Sequence, residues 1–147
     1  MPGRIDGVMS WIRTFLDRIK PNPSVGARGE RVAARHLRRL GYRILARNLR
    51  TRGGEIDLLA QAPDRRTVVV VEVKSATARD PGEAPDPRPE EHVNYYKQRR
   101  LTALACQIAR RYHLEDRPIR FDVIGVEFAC GAAPIVRHHP GAFESRV

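Results

Sequence analysis

Apolar side chains recur at helical spacing in three segments of the chain. The first, residues 5–19, is an amphipathic segment near the N-terminus. A second helix is predicted over residues 24–40, because Gly41 then favours a helix stop. A third is predicted over residues 90–113, and Lys97 falls on its apolar stripe. The predicted apolar face of the second helix consists of Ala33, His36, Leu37 and Leu40.

Strands are predicted where β-branched and aromatic residues cluster between turn residues. These strands cover residues 42–49, 55–60, 67–74 and 119–128. Residues 135–138 add an edge strand, which the sequence His139-Pro140-Gly141 should break because proline cannot donate to a sheet ladder. Residues 76–89 are rich in proline and aspartate and are predicted to form a loop.

Two charges interrupt the most apolar of these strands. Val68 to Val71 and Val73 make both of its faces apolar, which is typical of a strand covered on two sides. Glu72 and Lys74 lie two residues apart, so the strand period places both on one face. Buried charges are costly unless they are paired or bind a metal. This pair therefore indicates either a functional site or a buried ion network.

A hairpin turning at Asp64-Arg65 would bring Asp57 opposite Glu72. The predicted antiparallel pairs are 60 with 69, 59 with 70 and 57 with 72, and a slip of one residue would separate the carboxylates. In this register, two carboxylates and the Lys74 ammonium converge. Adjacent carboxylates repel unless a cation lies between them. Mg²⁺ is a suitable cation, since it commonly binds through one or two carboxylates.

The charge balance predicts an anionic partner. The chain has 27 Lys and Arg against 17 Asp and Glu in 147 residues, a formal net charge of +10. Nucleic acid is the first candidate and a membrane surface the second. Nine arginines lie between residues 28 and 52, where Glu30 is the single acid. They form either a solvated helix face or a surface that binds phosphates.

Glu30 has two interpretations. It lies seven residues before Leu37, almost in line with the apolar face of the second predicted helix. Gly26, Ala27 and Gly29 flank it, and small residues allow close backbone approach. The carboxylate either favours the positive end of the helix dipole or points toward the charged cluster of the sheet. Position along the chain leaves both open.

Other features bear on compartment and membrane contact. Cys106 and Cys130 lack metal-ligand spacing, so we expect free thiols in a reducing compartment. The five histidines also lack a metal-ligand pattern. No apolar run is long enough to span a membrane, and the N-terminus lacks the apolar core of a signal peptide. We therefore expect a cytoplasmic protein without stable membrane insertion. The N-terminal amphipathic segment is expected to pack on the domain, while partner binding and membrane-surface contact are alternatives.

Several short motifs, taken together in order, resemble one protein family. They are Gly26-Ala27-Arg28-Gly29-Glu30, Leu40-Gly41-Tyr42-Arg43-Ile44-Leu45, Asn48-Leu49-Arg50, Gly54-Glu55-Ile56-Asp57-Leu58, Val71-Glu72-Val73-Lys74, Arg120-Phe121-Asp122-Val123 and His139-Pro140-Gly141-Ala142-Phe143. The set resembles the YraN family of predicted endonucleases, within the PD-(D/E)XK superfamily. The resemblance covers about residues 24–143.

The resemblance implies an α/β fold of the restriction-endonuclease-like type, with a mixed central β-sheet flanked by helices. The N-terminal amphipathic helix lies outside the matched motifs and is expected to be an addition to that fold. Residues 1–23 are thus predicted to be a helix and linker, and residues 24–147 a nuclease-like domain.

The resemblance also implies roles for individual residues. Asp57 and Glu72, with the Val73 carbonyl, would bind Mg²⁺ or Mn²⁺, and Lys74 would orient or activate a water. Glu30 would assist through a water or a second metal. The cationic residues predicted to bind nucleic acid are Arg28, Arg35, Arg38, Arg39, Arg52, Lys97 and Arg100.

These features favour a Mg²⁺-dependent endonuclease that hydrolyses phosphodiester bonds in structured or branched DNA. The alternative is a nucleic-acid-binding protein on a nuclease fold with little or no catalysis. A third hypothesis, a structural protein with a buried ion network, is disfavoured by the net charge. DNA is favoured over RNA as the partner. Assembly as a homodimer stays open, as does a partner for the N-terminal helix.

Overall fold

The computed structural model describes residues 25–77 and 95–143. The N-terminal amphipathic segment, most of the Pro- and Asp-rich loop and the boundary between the two predicted domains lie outside these ranges. Predictions about them stay predictions.

Two helices and five strands make up the described part of the chain. The helices are α1, Val25–Arg39, and α2, Tyr95–Tyr112. The strands are β1, Arg43–Thr51; β2, Gly54–Gln61; β3, Val68–Thr77; β4, Ile119–Phe128; and β5, Ile135–Phe143. Each helix and strand predicted within the described ranges is found, and most ends differ by only one to three residues.

The five strands form one mixed sheet in the order β1-β2-β3-β4-β5. The central strands β3 and β4 are parallel, from Val68 opposite Ile119 to Thr77 opposite Phe128, and the other pairs are antiparallel. A parallel pair needs a crossover connection, and α2 lies in the segment that joins β3 to β4. The predicted α/β fold, a mixed central sheet flanked by helices, is confirmed.

The two helices belong to separate hydrophobic clusters on the sheet. The α1 cluster contains Ala33, Ala34, Leu37, Leu58, Ala60, Ala62, Val69, Val71, Val73, Ile124, Val126 and Phe128. The α2 cluster contains Leu45, Ala46, Ile56, Leu59, Val68, Val70, Leu101, Leu104, Ala105, Ile108, Ala109, Leu114 and Phe121. Successive residues of a strand point to opposite faces, so β3 contributes valines to both clusters. This explains why its sequence is a continuous apolar run.

The prediction that β5 ends before Pro140 was wrong. The strand continues to Phe143 as an edge strand, and its register against β4 shifts between Phe121 and Val123. A proline is tolerated on an edge strand or at a bulge, where its missing N–H leaves no ladder bond unmade. The backbone amide of Gly141 donates instead to Asp122 Oδ1 at 3.0 Å.

Leu40 also departs from its predicted burial. Its side chain is 50% exposed, because α1 ends at Arg39 and the backbone turns at once through Gly41, whose φ is +89°. Gly41 is thus a helix stop, as predicted, but the stop comes before Leu40 can reach the core. Neither described helix has the length and apolarity needed to cross a membrane.

Candidate active site

The candidate site lies where β2 and β3 separate. The two strands pair antiparallel from Gln61 and Val68 to Leu58 and Val71, so the predicted pairs 60 with 69 and 59 with 70 are found. The ladder ends one step before Asp57 and Glu72. Beyond that point a side chain replaces the backbone as acceptor: Asp57 Oδ2 accepts a hydrogen bond of 2.8 Å from the Val73 amide.

The separation of the strands follows from a bend in the β1–β2 hairpin. Leu58 belongs to the α1 cluster, whereas Ile56, only two residues earlier, belongs to the α2 cluster. On β1 the corresponding point is Asn48, which lies between the pairs Arg47–Leu58 and Leu49–Ile56 and has φ of +48°. A non-glycine residue in this left-handed region is uncommon and marks a local change of direction. Asp57 therefore sits at the bend.

The Asp57 carboxyl is held in a position that disfavours its charge. Burial and the neighbouring Glu72 charge raise the pKa of Asp57 to about 8, although the hydrogen bond from Val73 acts in the opposite direction. The Glu30 charge and a hydrogen bond between the Asp57 and Glu72 side chains raise it further. Without a nearby divalent cation, this environment therefore favours the protonated form of the carboxyl.

Glu72 is buried, with a residue exposure of 4%, and meets two ammonium groups. Lys74 Nζ lies 3.4 Å from Glu72 Oε1, and Lys97 from α2 forms an ion pair with the same oxygen. The pKa of Lys74 is lowered by burial and by the adjacent Lys97, while hydrogen bonds to Glu72 and Lys74 raise the pKa of Lys97 against the effect of burial. The structure thus places Lys97, a predicted nucleic-acid contact, beside the carboxylates.

Glu30 reaches the same region from α1. Its pKa is raised by burial and by the charges of Glu55 and Glu72, while a side-chain hydrogen bond from Asn48 lowers it. Gly29 allows this approach, because a Cβ atom at that position would lie 1.7 Å from Ser75 Oγ on β3. The geometry favours the second interpretation of Glu30, in which the carboxyl points toward the charged cluster.

The donor set suits a small divalent cation. Within residues 25–77 and 95–143, no group of three or more His, Cys, Asp and Glu side chains is arranged to hold a metal. The predicted set needs only the two carboxylates and the Val73 carbonyl, and Mg²⁺ usually keeps several waters. In a strand, the N–H and C=O of one residue point to the same side, so the Val73 carbonyl lies on the side of Asp57. The two carboxyl groups and the Val73 carbonyl together offer oxygen donors, which fit Mg²⁺ or Mn²⁺.

The arginines predicted to bind nucleic acid occupy different environments. The side chain of Arg28 stacks on the Phe128 ring, with its guanidinium carbon 4.6 Å from the ring centre. Arg100 donates from Nε to the Gly53 carbonyl at 2.9 Å, which ties α2 to the turn before β2. All six arginines are exposed, and the remaining four are Arg35, Arg38, Arg39 and Arg52.

Sequence reasoning named Asp122 only within a motif and missed that it is buried, as Glu72 and Glu127 are. Asp122 on β4 accepts hydrogen bonds from Arg120 Nε and Nη2, both at 2.8 Å, and from the Gly141 amide at 3.0 Å. His138 Nε2 lies 2.8 Å from its Oδ2, and Arg120 also donates to the Tyr42 hydroxyl at 2.7 Å. The spacing of Arg120 and Asp122 could have indicated this ion pair, because it places opposite charges on one face of a strand.

Asn48 is a second residue whose position was not foreseen. It was noted only as part of a motif, yet its side chain hydrogen-bonds to Glu30 and its backbone forms the bend opposite Asp57. Asparagine adopts the left-handed region more readily than most residues. The turn-like conformation inside an otherwise regular strand is set by tertiary packing, so only the Asn-Leu-Arg motif pointed to it.

The fold and the site define an α/β protein with a buried carboxylate–lysine cluster at a fork in its sheet. The chain belongs to the uncharacterised protein family UPF0102, whose model matches residues 29–126. It is 42% identical over 123 residues to a UPF0102 protein of Pelobacter propionicus, covering 84% of each chain. A relative from Symbiobacterium thermophilum is 48% identical over 103 residues, covering 70% of this chain and 81% of that protein. This family assignment agrees with the resemblance to the YraN family.

Proposed function

We propose that this protein is a Mg²⁺-dependent endonuclease that hydrolyses phosphodiester bonds in structured or branched DNA. The proposal rests chiefly on the fork between β2 and β3. There Asp57, oriented by the Val73 amide at 2.8 Å, lies beside Glu72, and Glu72 pairs with Lys74. A buried site that holds carboxyls together and raises the pKa of one of them is a typical location for chemistry.

The two carboxyl groups would hold the cation together with the Val73 carbonyl. A bound Mg²⁺ supplies a Lewis acid and lowers the pKa of a bound water. Asp57 would give up the proton that its raised pKa retains, since metal ligands must be deprotonated. The Val73 amide keeps the Asp57 carboxylate in place without the need for a side-chain partner.

Lys74 and Glu30 would act on the substrate side of the carboxylates. In hydrolysis, a water oxygen forms a new bond to phosphorus while one P–O ester bond breaks. The Lys74 ammonium, 3.4 Å from Glu72, can stabilise the negative charge that develops on the phosphoryl oxygens. Glu30 would position a water or a second cation, with Asn48 orienting its carboxyl.

The exposed arginines would supply affinity rather than chemistry. Arg35, Arg38 and Arg39 lie on α1, and Arg52 lies in the β1–β2 turn. Contacts of this kind with phosphates are independent of sequence, and each neutralised phosphate contributes a slope of about −0.9 in log K against log salt for duplex DNA. Binding should therefore be strongly salt-dependent and weakly sequence-specific.

The test is cleavage of labelled duplex, flap and four-way-junction DNA with Mg²⁺ or Mn²⁺. Wild-type protein should cleave at least one of the structured substrates, whereas Glu72→Gln should bind the same DNA without cutting it. A matched control is Glu115→Gln, which removes an exposed acid in the turn before β4. Cleavage that persists at wild-type rate in Glu72→Gln would show that the activity belongs to another site or to a contaminant.

A DNA-binding protein without catalysis is the second candidate. The observation that favours it is the pairing of Glu72 with both Lys74 and Lys97, which already neutralises this carboxylate. On this hypothesis the wild-type protein binds DNA, leaves all substrates intact and gains no stability from Mg²⁺. The cleavage panel and a melting curve with and without Mg²⁺ therefore separate the two functions.

A further inference from the structure

Three arginines surround the side of α1 that is next to the edge strand β1. Arg31 and Arg38 are seven residues apart on α1, which is about two helical turns, so they project from the same side of the helix. Arg47 on β1 pairs with Leu58, a residue of the α1 cluster. Residues paired directly across two strands share one face of the sheet, so Arg47 also points to the α1 side. We call Arg31, Arg38 and Arg47 the Arg47 cluster.

The side chains of the Arg47 cluster are close enough to repel one another. Burial lowers the pKa of Arg47, and the charges of Arg38 and Arg31 lower it further, while the Glu30 charge acts in the opposite direction. Nearby charges shift a pKa in this way over a few ångströms. No ion pair within residues 25–77 and 95–143 includes a member of the cluster. Three positive charges therefore share one acid, and a bound anion would relieve their repulsion.

The Arg47 cluster adjoins the candidate active site. The partner of Arg47 on β2 is the residue next to Asp57. Asn48, which follows Arg47 in β1, forms a side-chain hydrogen bond with Glu30. The charges of both Arg47 and Glu72 act on the pKa of Glu30, so this carboxyl lies near the arginines and near the carboxylates. An anionic polymer bound at the carboxylates therefore reaches the cluster within a short distance.

The opposite side of α1 has different neighbours. Arg39 directly follows Arg38, and a helix turns by about 100° per residue, so the two side chains diverge. Burial and the charges of His138 and Arg39 lower the pKa of His36. The His36 ring contacts the ring of His138 on β5, with 5.5 Å between the ring centres. Arg39 thus lies toward β5, whereas Arg38 lies toward β1.

We infer that the Arg47 cluster binds a backbone phosphate of the DNA substrate, beside the phosphodiester held by the carboxylates. The planar guanidinium group matches a phosphate through two parallel hydrogen bonds and is more weakly hydrated than an ammonium group. These properties suit Arg47, which is half-buried. Neighbouring strands lie about 5 Å apart, and a DNA strand advances about 3.4 Å per nucleotide. The two phosphates are therefore separated by only a few nucleotides.

This inference rests on the proposed function and deepens it, because it assigns the course of the bound strand. From the carboxylates, the strand continues along the β1 side of α1 and not along the β5 side. Arg31 and Arg38 are about 10 Å apart along the helix axis, which is about three nucleotide steps of a B-form strand. These contacts fix the position of the strand and carry no information about its base sequence.

The experiment measures binding to a DNA duplex with one single-stranded flap, in EDTA, by fluorescence anisotropy. A single methylphosphonate linkage, which lacks the negative charge of a phosphate, is moved along each strand near the junction. At one or two neighbouring positions, the neutral linkage should weaken wild-type binding by about tenfold, as expected for the loss of a charge-assisted hydrogen bond. In Arg47→Gln, binding should be weaker and the same linkage should have little further effect.

Arg38→Ala and Arg39→Ala form a matched pair of controls. Both remove one exposed charge from adjacent positions of the same helix. Arg38→Ala should reduce the response to a neutral linkage at the responsive position or a few nucleotides from it. Arg39→Ala should keep the full response, whatever its effect on total affinity. If thermal melting shows that Arg47→Gln is unfolded, Arg31→Ala provides the same test at an exposed helix position.

A further variant tests whether the bound phosphate lies beside the candidate active site. Glu30→Gln removes the acid that neighbours both Arg47 and Glu72. Repulsion from Glu30 falls only on a charged linkage, so this variant should tighten binding of the intact strand more than binding of the strand with the neutral linkage at the responsive position. Because no divalent cation is present, this coupling is independent of catalysis.

Three results would overturn the inference. Wild type could lack any responsive position, or Arg38→Ala and Arg39→Ala could reduce the response equally, and either result would reduce the cluster to part of a diffuse positive field. A responsive phosphate that is indifferent to Glu30→Gln would lie away from the carboxylates. Failure of the cleavage panel alone would contradict the nuclease proposal and leave the phosphate contact intact.

Discussion

Asp57 and Asp122 are two aspartates of the same sheet whose surroundings drive their pKa values in opposite directions. Burial raises both. At Asp122, hydrogen bonds from Arg120, His138 and the Gly141 amide outweigh burial and lower the pKa to about 2. At Asp57, the Glu72 and Glu30 charges add to burial and raise the pKa to about 8, against one hydrogen bond from the Val73 amide.

Charge compensation separates a structural acid from a candidate catalytic one. The Asp122 carboxylate has its charge compensated and ties β5 to β4 through Gly141. The Asp57 carboxyl instead faces two further acids, and its ionised form lacks enough compensation within the described structure. A divalent cation would relieve that deficit. The first arrangement stabilises the fold, whereas the second fits the metal site that we propose.

The largest effect should come from breaking the compensated acid. Asp122→Asn leaves Arg120 without its counter-ion and should lower the free energy of unfolding by about 3–5 kcal/mol, the usual cost of removing one partner of a buried pair. Asp57→Asn, measured in EDTA, should be close to neutral, because a neutral amide replaces a carboxyl whose charged form is already disfavoured by burial and by Glu72. Urea unfolding of both variants measures the contrast. Equal destabilisation would make the Asp57 cluster a structural ion network.

The next effect concerns the rate of cleavage. Lys74→Ala should lower it by about 10²–10³-fold, as expected when one group that stabilises transition-state charge is lost. DNA affinity should change little, because the exposed arginines are intact. Single-turnover cleavage and anisotropy on the same DNA measure the two quantities. Asp122→Asn serves as the control, since its folded fraction should cut at the wild-type rate.

Mg²⁺ should distinguish the two acids by its effect on stability. A ligand that binds only the folded state adds about 2.7 kcal/mol at 100 times its Kd. Wild type and Asp122→Asn should both gain this stability, while Asp57→Asn should gain little. Thermal melts across a Mg²⁺ titration measure the gain, and Na⁺ at equal ionic strength controls for screening. A gain that survives in Asp57→Asn would place the cation elsewhere.

Counted per pH unit, the smallest effect is the dependence of stability on pH. The folded pKa of Asp57, about 8, exceeds its ordinary value of 3.8, so the folded state holds the extra proton between these values. The contribution of Asp57 to the free energy of unfolding should fall as pH rises through that window, by at most about 1.4 kcal/mol per pH unit. Asp122, with a folded pKa of about 2, should contribute stability above pH 4 that is lost toward pH 2.

Unfolding curves from pH 2 to 9 in EDTA would measure both windows. The difference between the unfolding free energies of wild type and Asp57→Asn should decrease as pH rises, which gives a negative slope. The difference between the unfolding free energies of wild type and Asp122→Asn should increase with pH at the acid end, which gives a positive slope. Two slopes of the same sign would contradict the contrast between the acids.

The register of the β2–β3 hairpin could be read from the sequence because it is set locally. Asp64 accepts hydrogen bonds from the Arg66 and Thr67 amides, both at 2.8 Å, and from the Thr67 hydroxyl at 2.6 Å. These contacts span only three residues, and aspartate commonly makes them in turns. Once the turn is set, strand periodicity carries the register to Leu58 and Val71, and so brings Asp57 near Glu72.

Helix positions and the buried valines followed in the same way. The periods of 3.6 and two residues depend on backbone geometry alone, so β4 was predicted with both ends correct. The course of β5 was not, because Pro140 and Gly141 normally signal a break. Their place in the strand depends on Asp122, nearly twenty residues away in sequence, which accepts the Gly141 amide.

The sequence alone determined which strands carry Asp57, Glu72 and Lys74, the residues that we propose form a metal-dependent nuclease site. Only the tertiary structure decided what each acid meets. Lys97 comes from α2 to pair with Glu72, Asn48 comes from β1 to hold Glu30, and Arg120 with His138 encloses Asp122. A pKa depends on burial and on charges within a few ångströms, and folding brings those groups together from distant parts of the chain.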